Sequence, residues 1–316
     1  MKKRRLTAAA VATACLLTLT LAGCGGANDV KSASEPLAVS QAFGQKSVWV
    51  QYNKNDAIEK DGEIDRILVF DGKGNVTAYQ CDGATFADLN GKSDDEIVEM
   101  AKEQDKKVFD TERKDALDST APAIEHIQSA YDALKDEYDS GTYTSWLGGS
   151  ALSDLTDADL EQTKSIYNQT LSELEALLNA AKDGQAATKS ATYQEPKAQP
   201  YTLRIETDGT GNNTQSETIS FDAPSYSFYK AQLGHMGESD YEEQTPADVL
   251  NWGINVSWAE AGKAIRNEHI ELFSPVNKQT VYDTTFAGFS GLATIVNENH
   301  AGFVLDTPDT KGIEVD

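Results

Sequence analysis

At Ser93 the apolar residues change from recurring at every second position to every third or fourth, so the chain cannot be a uniform all-α or all-β fold. Before it lie three runs rich in β-branched and aromatic residues: Ser47 to Tyr52, Ile64 to Phe70 and Val76 to Gln80. The last two flank Asp71-Gly72-Lys73-Gly74-Asn75, whose Gly, Asp and Asn content predicts a hairpin turn. Three short strands bury too little to stand alone, so they must pack on helices or join strands from elsewhere.

From Ser93 the residues Ser-Asp-Asp-Glu fit a capping box, in which the Ser oxygen and the Glu carboxylate satisfy free N–H groups at a helix start. The spacing predicts a helix from Asp94 to about Lys106. A second stripe, Leu117, Ile124, Ile127, Tyr131, Leu134 and Tyr138, accommodates Pro122 if Ser119 or Thr120 caps a new helix there. After a Gly, Ser and Thr-rich loop from Ser140 to Gly149, Leu160, Tyr167, Leu171, Leu174, Leu178 and Ala181 repeat the spacing behind a start at Ser153 or Thr156. Two such stripes joined by one connection predict an antiparallel helical hairpin. Between Ser93 and Asp183 there are 22 acidic and 8 basic side chains, most of them off the apolar seam, as a solvated face requires.

Gly, Ala, Ser and Thr dominate from Asp183 to Gln199, and Tyr201 onward reads as short strands with frequent turns. Thr245 with Pro246 to Leu250 fits a short capped helix. The expected class is α+β: a β-hairpin/meander element (46–92), an acidic helical region (93–183), a linker (184–200) and a larger antiparallel β-rich region (201–316).

The first 23 residues do not enter this fold. Met1 to Arg5 is a charged n-region and Leu6 to Thr20 an apolar run ending in small residues, the pattern of a secretory signal peptide. Its length is at the short end for a membrane span, and four threonines dilute it. Leu21-Ala22-Gly23-Cys24 resembles the lipobox of bacterial lipoproteins. The resemblance implies cleavage before Cys24 and attachment of a diacylglyceryl group, palmitate-like in its chains, to that sulfur. Two acyl chains make a stable anchor where one does not. The implied location is the extracytoplasmic face of the cell membrane, with residues 24–45 expected as a disordered tether. In style the mature strands and turns resemble uncharacterised lipoproteins of Gram-positive bacteria, a likeness that brings no active site with it.

Charge narrows the partners. The chain has 51 acidic and 27 basic residues, and loss of the leader would leave 23 basic residues and a formal charge of −28. Nucleic acid and anionic headgroups call for clustered Lys and Arg, so neither is expected as a ligand. With Cys24 acylated, Cys81 would be the one thiol left, unable to form an intrachain disulfide, and its place at the end of a strand-like run suits a small core residue.

No complete catalytic or metal-binding constellation emerges. His126, His235, His269 and His300 are scattered, without the spacing that puts two ligands on one helix face. In Glu268-His269-Ile270-Glu271 strand alternation sets His269 and Glu271 on one face and Ile270 and Leu272 on the other. Gly288-Phe289-Ser290-Gly291 brings its second glycine one position too early for a nucleophile elbow. The turns at 71–75 and 208–212, both Asp-Gly-x-Gly-Asn, and the loop Asn53-Lys54-Asn55-Asp56 offer oxygen ligands but lack the spacing of a calcium loop. Tyr201, Tyr226, Phe228, Tyr229, Tyr241, Trp252 and Trp258 would form a stacking platform if exposed together, though burial is the commoner fate. No cofactor is expected. The function this supports is a non-enzymatic binding or interaction protein of the cell envelope, with an envelope protein or glycan as partner. The alternatives are a solute- or glycan-binding lipoprotein and an envelope hydrolase.

Overall fold

The computed structural model describes residues 29–147, 155–230, 232–233, 247, 256–257, 262–273 and 275–316. The class is α+β, as the change of period predicts.

Order begins earlier than the composition suggests. A short strand β1 (Leu37–Ala38) leads into helix α1 (Val39–Phe43). Val30, Ala33, Leu37, Val39, Ala42 and Phe43 are all buried, and Lys31 pairs with Asp94 at 2.5 Å. The tether expected to reach residue 45 therefore cannot extend past Asp29. Six apolar side chains spread among Ser, Gln and Glu give no clear period, and only the partner surface shows that they share a face.

The strands β2 (Lys46–Gln51), β3 (Glu63–Asp71) and β4 (Asn75–Thr85) form the expected meander. In the 71–75 turn the Asp71 carboxylate accepts from Lys73 N, Asn75 N and Asn75 Nδ2. The turn at 208–213 uses the same chemistry: Asp208 accepts from Thr210 N and Oγ1 and from Asn213 Nδ2. Hairpin geometry alone accounts for the likeness of these two sequences.

A single 3₁₀ turn, Phe86–Leu89, precedes α2 (Asp94–Ser140), where Ser93 and Glu96 make the expected capping box. The break expected near residue 106 and the new start at Ser119 or Thr120 are absent: α2 runs unbroken for 47 residues through Pro122. Proline removes one backbone bond, but the same face stays buried across it at Ala116, Thr120, Ala123 and Ile127. The hydroxyls of Ser119 and Thr120 turn back to the Ala116 carbonyl instead of capping a helix. Packing on both sides outweighs the local breaker.

A short α3 (Thr144–Leu147) follows, and α4 (Asp157–Ser190), capped by Thr156, returns antiparallel to α2. Tyr167 bonds Glu137 and Lys182 bonds Gln128, which fixes the opposite senses. Helix α4 continues through 184–190, so most of the first half of the expected linker is helical.

The C-terminal strands are β5 (Gln199–Thr207), β6 (Thr214–Ser227), β7 (Gln232–Leu233), β8 (Val256–Ser257), β9 (Gly262–Leu272), β10 (Pro275–Val281), β11 (Thr284–Phe289), β12 (Leu292–Val296), β13 (Phe303–Val304) and β14 (Glu314–Val315). They do not form a sheet of their own. The order β10-β11-β12-β2-β3-β4-β5-β6-β9 places β2 to β4 in the middle of one sheet of ten strands, with β14 beside β5. β1 pairs separately with β13. The join between β4 and β5 is only two residue pairs long, Asn75 with Pro200 and Val76 with Gln199.

At that narrow join the sheet curls. Four strand spacings separate β3 from β9, about 19 Å in a flat sheet, yet Arg66 on β3 lies 2.9 Å from Glu268 on β9. Trp49, Leu68, Phe70 and Val76 thereby share one core with Ile219, Phe221, Ile270 and Leu272, and Phe43 of α1 stacks on Phe70 with ring centroids 4.3 Å apart. The other face of β2 to β4, with Val50, Ile67 and Tyr79, takes Ile97 and Ala101 from the start of α2. Farther along α2, buried Asp105 accepts from Gln80 N at 2.8 Å, Tyr193 Oη at 2.9 Å and Tyr226 Oη at 2.6 Å. That carboxylate ties the helix to β4, to β6 and to the segment leading into β5.

Candidate functional site

Beyond Ala116 and the Phe109, Tyr226 and Phe228 cluster, α2 leaves the sheet and its buried side chains face α4 instead: Ile127, Ala130 and Leu134 against Tyr167, Leu174 and Leu178. This part of the hairpin is an arm. At its root Gly184 lies under the Tyr229 ring, so close that a Cβ there would meet ring atoms at 2.2 to 2.4 Å. At its end Gly141 caps α2 in the left-handed conformation, and the chain turns into α3.

Glu137 organises that end. Its carboxylate accepts from Ser145 N at 2.9 Å, Ser145 Oγ at 2.6 Å and Tyr167 Oη at 2.5 Å. Partial burial opposes ionisation, but these hydrogen bonds prevail and hold the Glu137 carboxyl below its ordinary range. Tyr138, Tyr143 and Tyr167 gather around it, with the Tyr143 and Tyr167 rings 5.1 Å apart edge to face. Trp146 on α3 keeps 37% of its surface exposed. A large apolar ring left in water at the end of an otherwise acidic arm is an unusual use of tryptophan.

A second candidate is a cleft of about 500 Å³ where β9 approaches the ends of β2 and β12. Three stretches singled out in the sequence converge there: the loop with Asn53 and Lys54, the strand with His269 and Glu271, and the turn with Ser290 and Gly291. Asp65 completes the rim. Backbone and side-chain bonds build it. Tyr52 N donates to Gly291 O, Tyr52 Oη to Phe289 O and Ser290 Oγ to Lys54 O. Ser290 is thus a clamp on the loop, in keeping with a sequence that falls short of a nucleophile elbow. The alternation expected for β9 holds, with His269 and Glu271 exposed and Ile270 and Leu272 buried. His269 Nδ1 is 2.7 Å from Ser220 Oγ on the neighbouring strand. Lys54 Nζ stands 5.5 Å from the Phe273 ring centroid.

Cys81 is part of the layer between β4 and α2, where burial pushes its thiol up to about 12, so it is an unreactive packing residue. His300 is buried against Phe303, its Nδ1 accepting from Gly302 N, and burial lowers its proton affinity. His126 sits on α2. Tyr226 and Phe228 are buried and Tyr201 packs on the core, so these three make no open stacking platform, and Tyr229 is spent on Gly184. Cys24, His235, Tyr241, Trp252, Trp258 and the short helix expected at 246–250, apart from Ala247, lie outside the described residues. Among the described residues no three His, Cys, Asp or Glu side chains are placed to share a metal ion. No helix among them is long and apolar enough to cross a membrane.

No protein-family model matches the chain, and no curated protein or solved structure is significantly similar to it.

Proposed function

We propose that this is a lipid-anchored protein of the extracytoplasmic membrane face that acts by holding a protein partner at the end of its helical arm. Acylation at Cys24 is the anchor in this reading, and the partner is an envelope protein with a basic docking face. The observation that carries it is the ion pair between Lys31 and Asp94, because Asp94 is the first residue of α2. From Cys24 to Val30 the chain spans at most about 20 Å, so an anchor at Cys24 would keep the body close to the bilayer. Helix α2 starts on that same side and is about 70 Å long. The exposed Trp146 is carried near its far end. A rigid reach of this size, ending in an ordered aromatic cluster, suits capture of another protein at a set distance better than turnover of a small substrate.

The test is photo-crosslinking in the native membrane, with a photoreactive residue at position 146 and, as comparison, at Lys197 on the body. One protein neighbour captured from position 146 in the anchored form, and lost in Cys24→Ala, is the expected result. Capture from position 197 with none from 146 would sink the assignment of the arm as the docking element.

A further inference from the structure

We propose that the cleft between β9 and the β2 and β12 ends is a binding site for a small zwitterion, a short peptide with both termini free. This is independent of the arm and of its partner. The cleft holds charges that the protein itself leaves unmatched. Lys54 has no carboxylate within ion-pair distance among the described residues, and its ammonium group stands 5.5 Å from the Phe273 ring centroid. The side-chain carboxylates of Asp65 and Glu271, on the same rim, take part in none of the hydrogen bonds or ion pairs found among the described residues. Arg66, next to Asp65 in the chain, is by contrast matched with Glu268. Partial burial at the rim raises the proton affinity of the Asp65 carboxyl more than the neighbouring Arg66 charge lowers it, and a bound cation would oppose that rise.

The chemistry of the ligand follows from this set. Two carboxylates call for an ammonium group, and Lys54 calls for a carboxylate. A neutral sugar would leave all three charges unanswered, and a free metal ion finds no three ligands together. His269 adds a hydrogen-bonding nitrogen: Nδ1 is engaged by Ser220, which holds the ring and leaves Nε2 for a ligand. The oxygens of the Asn53 and Gln51 amides are taken by Asn55 and Arg66, which leaves their NH2 groups to donate to the carbonyl of a peptide bond between the two charged ends. A cleft of about 500 Å³ is in the usual range for small-molecule sites, with room for a dipeptide, whose extended backbone spans about 7 Å.

The experiment is calorimetric titration of the intact chain with an equimolar mixture of Ala-X dipeptides, against the same mixture acetylated at the amino end and amidated at the carboxyl end. Free dipeptides are expected to bind at millimolar concentration and the capped set to bind at least about tenfold more weakly. Lys54→Ala and Glu271→Gln, both exposed, should each weaken the free set by roughly three- to tenfold with an unchanged melting temperature. Equal binding of free and capped dipeptides, absence of binding by either, or binding unaffected by both substitutions would overturn the proposal. So would binding of N-acetylglucosamine in place of the peptides.

Discussion

The backbone amide of Asp306 donates a 3.0 Å hydrogen bond to the Glu217 carboxyl, and both side chains are sealed from water. Asp306 in turn accepts from Ser40 N and Ser40 Oγ, each at 2.7 Å, in the first turn of α1. The amino-terminal segment, β6 and the chain beyond β13 thus meet at two acidic residues. Burial pushes Glu217 up to about 8, with the Asp306 charge adding to the effect and the amide opposing it. At neutral pH Glu217 keeps its proton.

The pH dependence follows from that proton. In the unfolded chain a glutamate titrates near 4.3, and in the fold Glu217 does so at about 8. Between these values the native state binds one proton more, so this residue's contribution to stability is full below the lower value and declines as pH rises to the upper one. Glu217→Gln should melt at a higher temperature than wild type at pH 8 and show a flatter curve of melting temperature between pH 5 and 8. Parallel curves for the two proteins would show that Glu217 titrates normally.

Asp105 is the brace between α2 and the curled sheet. Asp105→Ala leaves Gln80 N, Tyr193 Oη and Tyr226 Oη without their acceptor, and each buried unsatisfied donor costs about 1–3 kcal/mol. Urea denaturation should show a loss of about 3 kcal/mol or more. Tyr193→Phe removes one donor and keeps the rest, so its loss should be about 1 kcal/mol. A near-neutral Asp105→Ala would mean that water enters and replaces the carboxylate.

Gly184 offers a test by sign. Gly to Ala inside a helix normally stabilises by about 1 kcal/mol. Here the added Cβ runs into the Tyr229 ring, so Gly184→Ala should destabilise, by about 1–3 kcal/mol. In a Tyr229→Ala background the same substitution should return to its ordinary gain. A double-mutant cycle in urea reads the coupling, and additivity of the two changes would dissociate Gly184 from Tyr229.

Where sequence reading succeeded, the signal was local. Ser93 with Glu96, the turns at Asp71 and Asp208 and the alternation around His269 are each set within a few residues, and each stands as expected. It failed where distant packing decides. Pro122 looked like a helix boundary because its neighbours alone argue for one, while the buried face through Ala116 and Ile127 settles the matter. Val30 to Phe43 looked like tether because their common partner is Trp49 and the β13 region. The cleft could be assembled only in parts: Lys54, His269 and Ser290 were each noticed, but Lys54 is over 200 residues from the other two, and no spacing rule joins them. Asp105, one acidic residue among 22 in its region, had no local mark to distinguish it from a solvated one.

The position of β2 to β4 in the middle of the sheet also governs how the molecule comes to exist. Val50 pairs with Ala293 and Gln51 with Leu292, partners at opposite ends of the chain. Pairings so remote form slowly, because closing a loop of that length precedes any gain from it. The amino-terminal meander therefore waits with an open β2 edge until almost the last strand has been delivered. A chain built this way closes its central sheet late, after nearly all of its strands have been made.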